Sequence, residues 1–301
     1  MRSLGFHNSF LAFPLLAAMY FLACEGRPHT TSTSSAEATI ASSPAQNISG
    51  DELLQQTLKL AASANPADQK RLQEALTSKD FLFRLDSRDD YRMKAVKGLR
   101  LAKLFQAMKQ NGSPAMHQTL LALARTYKQG ECDACDQLLL QSLAIMRPAP
   151  AEAMRFFTVH SEPDSIQLGF AIDALCENGS TPALALLEKR FSDSRYEPQE
   201  KVSWLRRGVL QHRRNPGLLQ VADRWLTASL PKSLRPTLVE VLFDYRPGEW
   251  YREHNPPQPD PQSLTAENKK LLQKIGATAL KKVVLNATQR AAVTKTMSEL
   301  K

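Results

Sequence analysis

The sequence predicts an all-α protein, and three observations carry that prediction. Apolar positions are mostly Leu and Ala, which lose little entropy in helices, while Val/Ile/Thr/Tyr runs of strand type are almost absent. From residue 51 onward apolar side chains recur with the helical period of about 3.6 residues. Helix-ending and helix-starting residues recur at intervals of about 34 residues, leaving room for two helices in each. One such hairpin cannot bury its apolar face alone, so its copies must stack. The expected architecture is a right-handed α-solenoid of helical hairpins.

The first element is not part of that stack. Arg2 supplies a short positive region, and Phe10 to Ala23 is an apolar run interrupted by Pro14. It is shorter than the roughly 20 residues that span a bilayer and suits a signal peptide over 1–23. Its end, Phe21-Leu22-Ala23-Cys24, resembles the lipobox of bacterial lipoproteins, with Phe21 where that family prefers Leu. The resemblance implies that Cys24 is acylated and becomes the mature N-terminus. Glu25 follows where an Asp would favour the inner membrane, which implies the outer membrane. Residues 24–50 carry Ser, Thr, Ala and Pro with no apolar stripe, so they are expected to form a disordered tether.

The helical-repeat domain is expected over 51–245. Leu53, Leu54, Leu58 and Leu60 mark a first helix, and Leu72 and Leu76 a second. A longer helix is expected from Tyr91 to Lys109, carrying Val96, Leu99, Leu101, Leu104, Phe105 and Met108. Asn111-Gly112-Ser113-Pro114 then supplies a Gly stop, a Ser cap and a first-turn Pro. The punctuation returns as Asn178-Gly179-Ser180-Thr181-Pro182 and Asn215-Pro216-Gly217, and more loosely as Arg147-Pro148-Ala149-Pro150. Prolines 114, 150, 182 and 216 are 36, 32 and 34 residues apart, and Leu123, Val159, Phe191 and Trp225 follow nine residues after each. Each Pro is expected to start a helix preceded by another, such as Ile166–Glu177 or Val202–His212. With Asn/Gly-Pro turns and no Trp…Leu-Gly…Tyr pattern, the series resembles HEAT-like repeats over roughly 90–245. Residues 246–262 hold five prolines and read as an extended loop, and helices at 265–283 and 287–300 make a C-terminal cap over 263–301.

Charge and chemistry narrow the function classes. The net charge is +9. In an exported protein it points to anionic headgroups, acidic polymers or an acidic protein rather than nucleic acid. Lys201, Arg206, Arg207, Arg213 and Arg214 run without an intervening acid, and Trp250, Tyr251 and Arg252 are residue types common at interface hot spots. Trp204 and Trp225 read as core. Cys132-Asp133-Ala134-Cys135 is a CxxC at an expected helix start, where a thiol pKa can fall, although Glu131, Asp133 and Asp136 oppose this. A structural disulfide, within the CxxC or from one of its members to Cys176, competes with redox, metal or free-thiol readings. His117, His160, His212 and His254 stand apart from partners, and no GxSxG, Walker A or GxGxxG motif occurs. Asp86, Asp89 and Asp90 are explained by stabilising a helix N-terminus. The expectation is a non-catalytic lipoprotein scaffold without metal or cofactor, binding an envelope protein. The alternative is binding of acidic polymer or lipid headgroups.

Overall fold

The computed structural model describes residues 48–86, 99–127, 132–243 and 264–300. They all fall in the larger of two units into which the chain divides, Ala38–Tyr245 with Asp260–Lys301. The expected signal peptide, Cys24, most of the expected tether, Asp89, Asp90, His254 and the Pro-rich loop with Trp250, Tyr251 and Arg252 lie outside the described residues. Among the described residues the fold is all-helical.

The chain enters α1 (Gly50–Ala62) through a reciprocal cap, in which Ser49 Oγ accepts from Glu52 N–H and the Glu52 carboxylate accepts from Ser49 N–H. That box starts the helix inside the stretch expected to be tether, because it satisfies donors that would otherwise be orphaned. α2 (Pro66–Thr77) starts on Asn65-Pro66, and a short α3 (Lys79–Leu85) follows. The next helix corrects an expectation. α4 spans Arg100–Asn111, and Leu99 before it is extended, so no single helix runs from Tyr91 to Lys109. The cause is Asp86, whose buried carboxylate accepts from the N–H groups of Arg100 and Leu101 at 2.8 Å each. An acid does stabilise this helix start, but from α3 across the fold.

Thereafter helices alternate through short turns: α5 (Pro114–Thr126), α6 (Asp133–Leu143), α7 (Ala151–His160), α8 (Leu168–Asn178) and α9 (Thr181–Ser192). α10 (Pro198–Trp204) runs on into a π-helical stretch at Leu205–Val209, and α11 (Pro216–Arg224) into another at Trp225–Ser229. α12 (Arg235–Phe243), α13 (Ala266–Lys282) and α14 (Ala287–Glu299) complete the fold. The helix expected from Ile166 starts instead at Leu168, and Ile166 is exposed in the connector ahead of α8.

Neighbours in space skip one helix in sequence, or two where the short α3 intervenes. α1, α4, α6, α8, α10, α12 and α14 each pack on the next of that series, and α2, α5, α7, α9, α11 and α13 do likewise. The interior between the series is Leu-rich, with an aromatic group where α9, α10 and α11 meet. There Phe191 lies 5.7 Å from Trp204 and from Trp225, and Tyr196 lies 5.0 Å from Trp204, between ring centroids. Both tryptophans are core residues, as the sequence reading expected. Trp225 Nε1 donates to Glu188, so even its polar edge is satisfied.

One periodic expectation fails by a single residue. Leu123, Phe191 and Trp225 are buried, but Val159 is 40% exposed and His160 beside it is buried. Pro114 and Pro216 are the first residues of their helices, whereas Pro150 is the cap before α7. Nine steps from Pro150 therefore stop one residue short, about 100° around the helix.

Candidate functional site

The turns that join the helix pairs are held together by asparagines. Asn111, ending α4, donates from Nδ2 to Ala61 O (2.7 Å) and Ser63 O (3.3 Å) at the end of α1. Asn178, ending α8, donates to Ala144 O (3.0 Å) and Met146 O (2.7 Å) after α6. Asn215, after α10, donates to Cys176 O (3.2 Å) and Glu177 O (2.8 Å) in α8. In each case Oδ1 also accepts an N–H two residues on, from Ser113, Ser180 or Gly217. One amide thus closes its own turn and fills carbonyls left open at the end of a neighbouring helix. These turns line up along one edge of the fold.

Along that edge lies a shallow groove lined by the turns Arg147–Pro148, Asn178–Pro182 and Asn215–Gly217. Two glycines permit its close spacing. Gly179 has φ +61°, and a Cβ there would also run into the Asn215 side chain; a Cβ on Gly217 would run into the Gly179 carbonyl. Around it sit Lys109, whose Nζ is 3.2 Å from Glu177 Oε1, and Arg147, which donates to the Glu177 carbonyl. His212 nearby has its pKa lowered by burial, opposed by Glu177 and reinforced by Arg147 and Lys109. The groove offers hydroxyls at Ser180 and Thr181, proline faces and a partly neutralised positive cluster. These are groups that bind rather than a nucleophile with its base.

The residues singled out from sequence are scattered. Lys201 is buried with Nζ on Asp193 O at 2.7 Å, and Arg213 is buried with a hydrogen bond to Leu210 O at 2.7 Å. Arg206 is exposed and paired with Glu240 at 3.3 Å. Arg207 pairs with Asp173 at 3.5 Å and lies over the Phe170 ring. Arg214 is partly buried, and its guanidinium pKa is lowered by desolvation. The five cations do not make one patch. Arg206 and Arg207 are held by carboxylates on different helices, Glu240 on α12 and Asp173 on α8, while Lys201 and Arg213 bond to backbone carbonyls.

Cys132 and Cys135 are joined in a disulfide at the start of α6, and Cys176 is a buried free thiol. Burial, and then Asp173, push the Cys176 thiol well up, which makes it inert. Close to the disulfide in sequence, buried Asp136 lies 3.8 Å from buried His160, whose ring lies tilted against Phe156 with centroids 4.3 Å apart. Desolvation brings His160 down to about 4. Among the described residues no group of His, Cys, Asp and Glu is arranged to hold a metal ion, and no helix is long and apolar enough to cross a membrane.

The groove was not read from sequence as a site, although its turns were read as punctuation. The signal was there in the Asn two residues before Ser or Gly, together with Asn65-Pro66, which opens α2 in the same way. Comparison with protein-family models, with curated proteins and with solved structures finds no match.

Proposed function

We propose that this chain is an exported, lipid-anchored scaffold, a right-handed α-solenoid of HEAT-like hairpins that binds another envelope protein without chemistry of its own. The observation that carries the reading is the stacking of alternate helices in two series, with Asn-bonded turns aligned into a groove along one edge. Helical-repeat stacks present extended surfaces of this kind, and neighbours bury what a single hairpin cannot. The anchor rests on the lipobox-like sequence at Cys24, and outer-membrane placement on Glu25. An acidic polymer suits the 201–214 stretch poorly, because Lys201 and Arg213 are buried and Arg206 and Arg207 already hold carboxylates.

The test combines two labels in cells. Palmitate incorporation is expected in the wild type and not in Cys24→Ala, with the wild type in the outer-membrane fraction. A photo-crosslinker at Thr181 is expected to capture a discrete protein, and one at exposed Lys70 on α2 is not. Soluble, unlabelled protein would remove the anchor, and capture equal at both positions would remove the groove.

A further inference from the structure

The connector between α13 and α14 displays an apolar side chain between cations. Val283, Val284 and Leu285 follow the helix, with Val283 extended at φ −109°, ψ 138°. Alternate side chains of an extended segment point in opposite directions. Val283 and Leu285 accordingly anchor in the interior, and Val284 between them is 91% exposed. No large apolar residue among the described ones is more exposed. The tip is braced on both sides: Val283 N–H donates to Ala279 O, and Asn286 caps α14 in a reciprocal box with Gln289. Val284 is therefore held outward by the fold.

Along α13 and α14 the charges nearest to it are of one sign. Lys281 and Lys282 end α13, and Arg290 lies in the first turns of α14, all exposed. The nearest acid along α13 and α14 is Glu299 or Glu267, each many residues away. Asp223, packed against α13, is already engaged by Lys274 at 3.0 Å and by Thr278. Two lysines and an arginine beside an outward valine fit a surface that is anionic outside and apolar beneath. A soluble polyanion would use the cations and leave the valine in water.

We infer that the α13–α14 tip docks on an anionic phospholipid bilayer, with Val284 entering the interface and Lys281, Lys282 and Arg290 on headgroup phosphates. One apolar side chain and three cations make a weak contact by themselves, suited to orienting a module already held nearby. The Asn-bonded groove lies at the other end of α13, since Asn268 in its first turn donates to Arg214 O beside Asn215. The helix has 17 residues and so is about 25 Å long. Docking by the tip turns the groove away from the membrane and toward a partner.

The contact is independent of acylation, so the test uses the full chain with Cys24→Ser. An environment-sensitive fluorophore is placed at Val284→Cys or, as a control, at Thr181→Cys, and vesicles of phosphatidylethanolamine with phosphatidylglycerol are added. The expected result is a blue shift and lipid-phase quenching at 284 only, absent with pure phosphatidylcholine. Lys281→Ala with Lys282→Ala is expected to raise the lipid needed for half the shift by roughly 25-fold, from about fivefold for each lysine. No shift at 284 on anionic vesicles would overturn the inference even if Cys24 proves acylated. A shift that ignores lipid charge, or one that inorganic polyphosphate produces without lipid, would overturn it as well.

Discussion

Asn178 and Gly179 show how much of this fold hangs on single turn residues. Asn178 is buried, and its amide serves two carbonyls of the neighbouring turn as well as Ser180 N–H and Oγ–H. Asn178→Ala would leave several desolvated groups without partners, at a cost of about 2–4 kcal/mol in urea unfolding. The two left-handed glycines should separate. A Cβ at Gly112 would come only to 4.0 Å from the Gln110 carbonyl oxygen, an ordinary contact, so Gly112→Ala is expected to cost about 1 kcal/mol for its positive φ. Gly179→Ala also collides with Asn215 and should cost several times more. His160 gives a pH dependence of known sign. Burial holds its folded pKa at about 4, below the ordinary histidine value of 6.5, so the unfolded chain takes up a proton that the folded one refuses. Stability present above pH 6.5 is lost as pH falls toward 4, by at most roughly 3 kcal/mol. Asp173 works in the opposite direction, because burial raises it to about 6 against Arg207, and its stabilising protonated form is lost as pH rises through that value. Thermal unfolding of His160→Gln between pH 4 and 7 should lose the acid-side fall while keeping the Asp173 slope.

At the scale of elements, α6 and α14 differ in what fixes them. The disulfide at the start of α6 closes a loop of very few residues, with Cys132 and Cys135 three apart. The chain-entropy argument then gives it only about 2 kcal/mol, far below a bridge across a long loop. Reduction, or Cys132→Ser with Cys135→Ser, should lower the thermal midpoint by a few degrees and leave the helical circular dichroism intact. Loss of the whole domain on reduction would show that the bridge does more than restrain one turn. α14 buries little beyond Val293, with Leu300 just past its end. Its amides are expected to exchange with solvent earlier than those of α8, where seven residues are buried.

The described part of the molecule is a chain of nearest-neighbour contacts, α1 on α4, α4 on α6 and onward to α14. Few contacts join distant members of a series, so unfolding need not be all-or-none. Removing α13 and α14 by stopping the chain after Phe243 would uncover the faces of α11 and α12 that they cover. Denaturant unfolding of that variant is expected to show an early transition confined to α9–α12, while exchange protection of α4–α6 persists. A single transition that shifts as a whole would mean that the unit folds cooperatively from end to end.

Helix type, the Gly-Ser-Pro turn before α5 and the burial of both tryptophans were legible in the sequence, because each depends on residues within one or two turns. Leu and Ala at a 3.6 period, a Ser that can cap and a Pro without an N–H specify local geometry wherever the chain goes. Four features were decided only by tertiary packing. Leu99 is extended rather than helical because Asp86, just past the end of α3, took the next two N–H groups. The basic run 201–214 split because Arg206 and Arg207 met Glu240 and Asp173, carboxylates on other helices that only the fold places within reach. The groove exists because glycines at 179 and 217 meet Asn215 and each other across a turn. Val284 rather than Val283 faces outward because the extended connector must bury its alternate side chains against helices on either side. Local sequence determines how a segment is shaped, but which of its groups remain available is determined by the partners that folding brings to them.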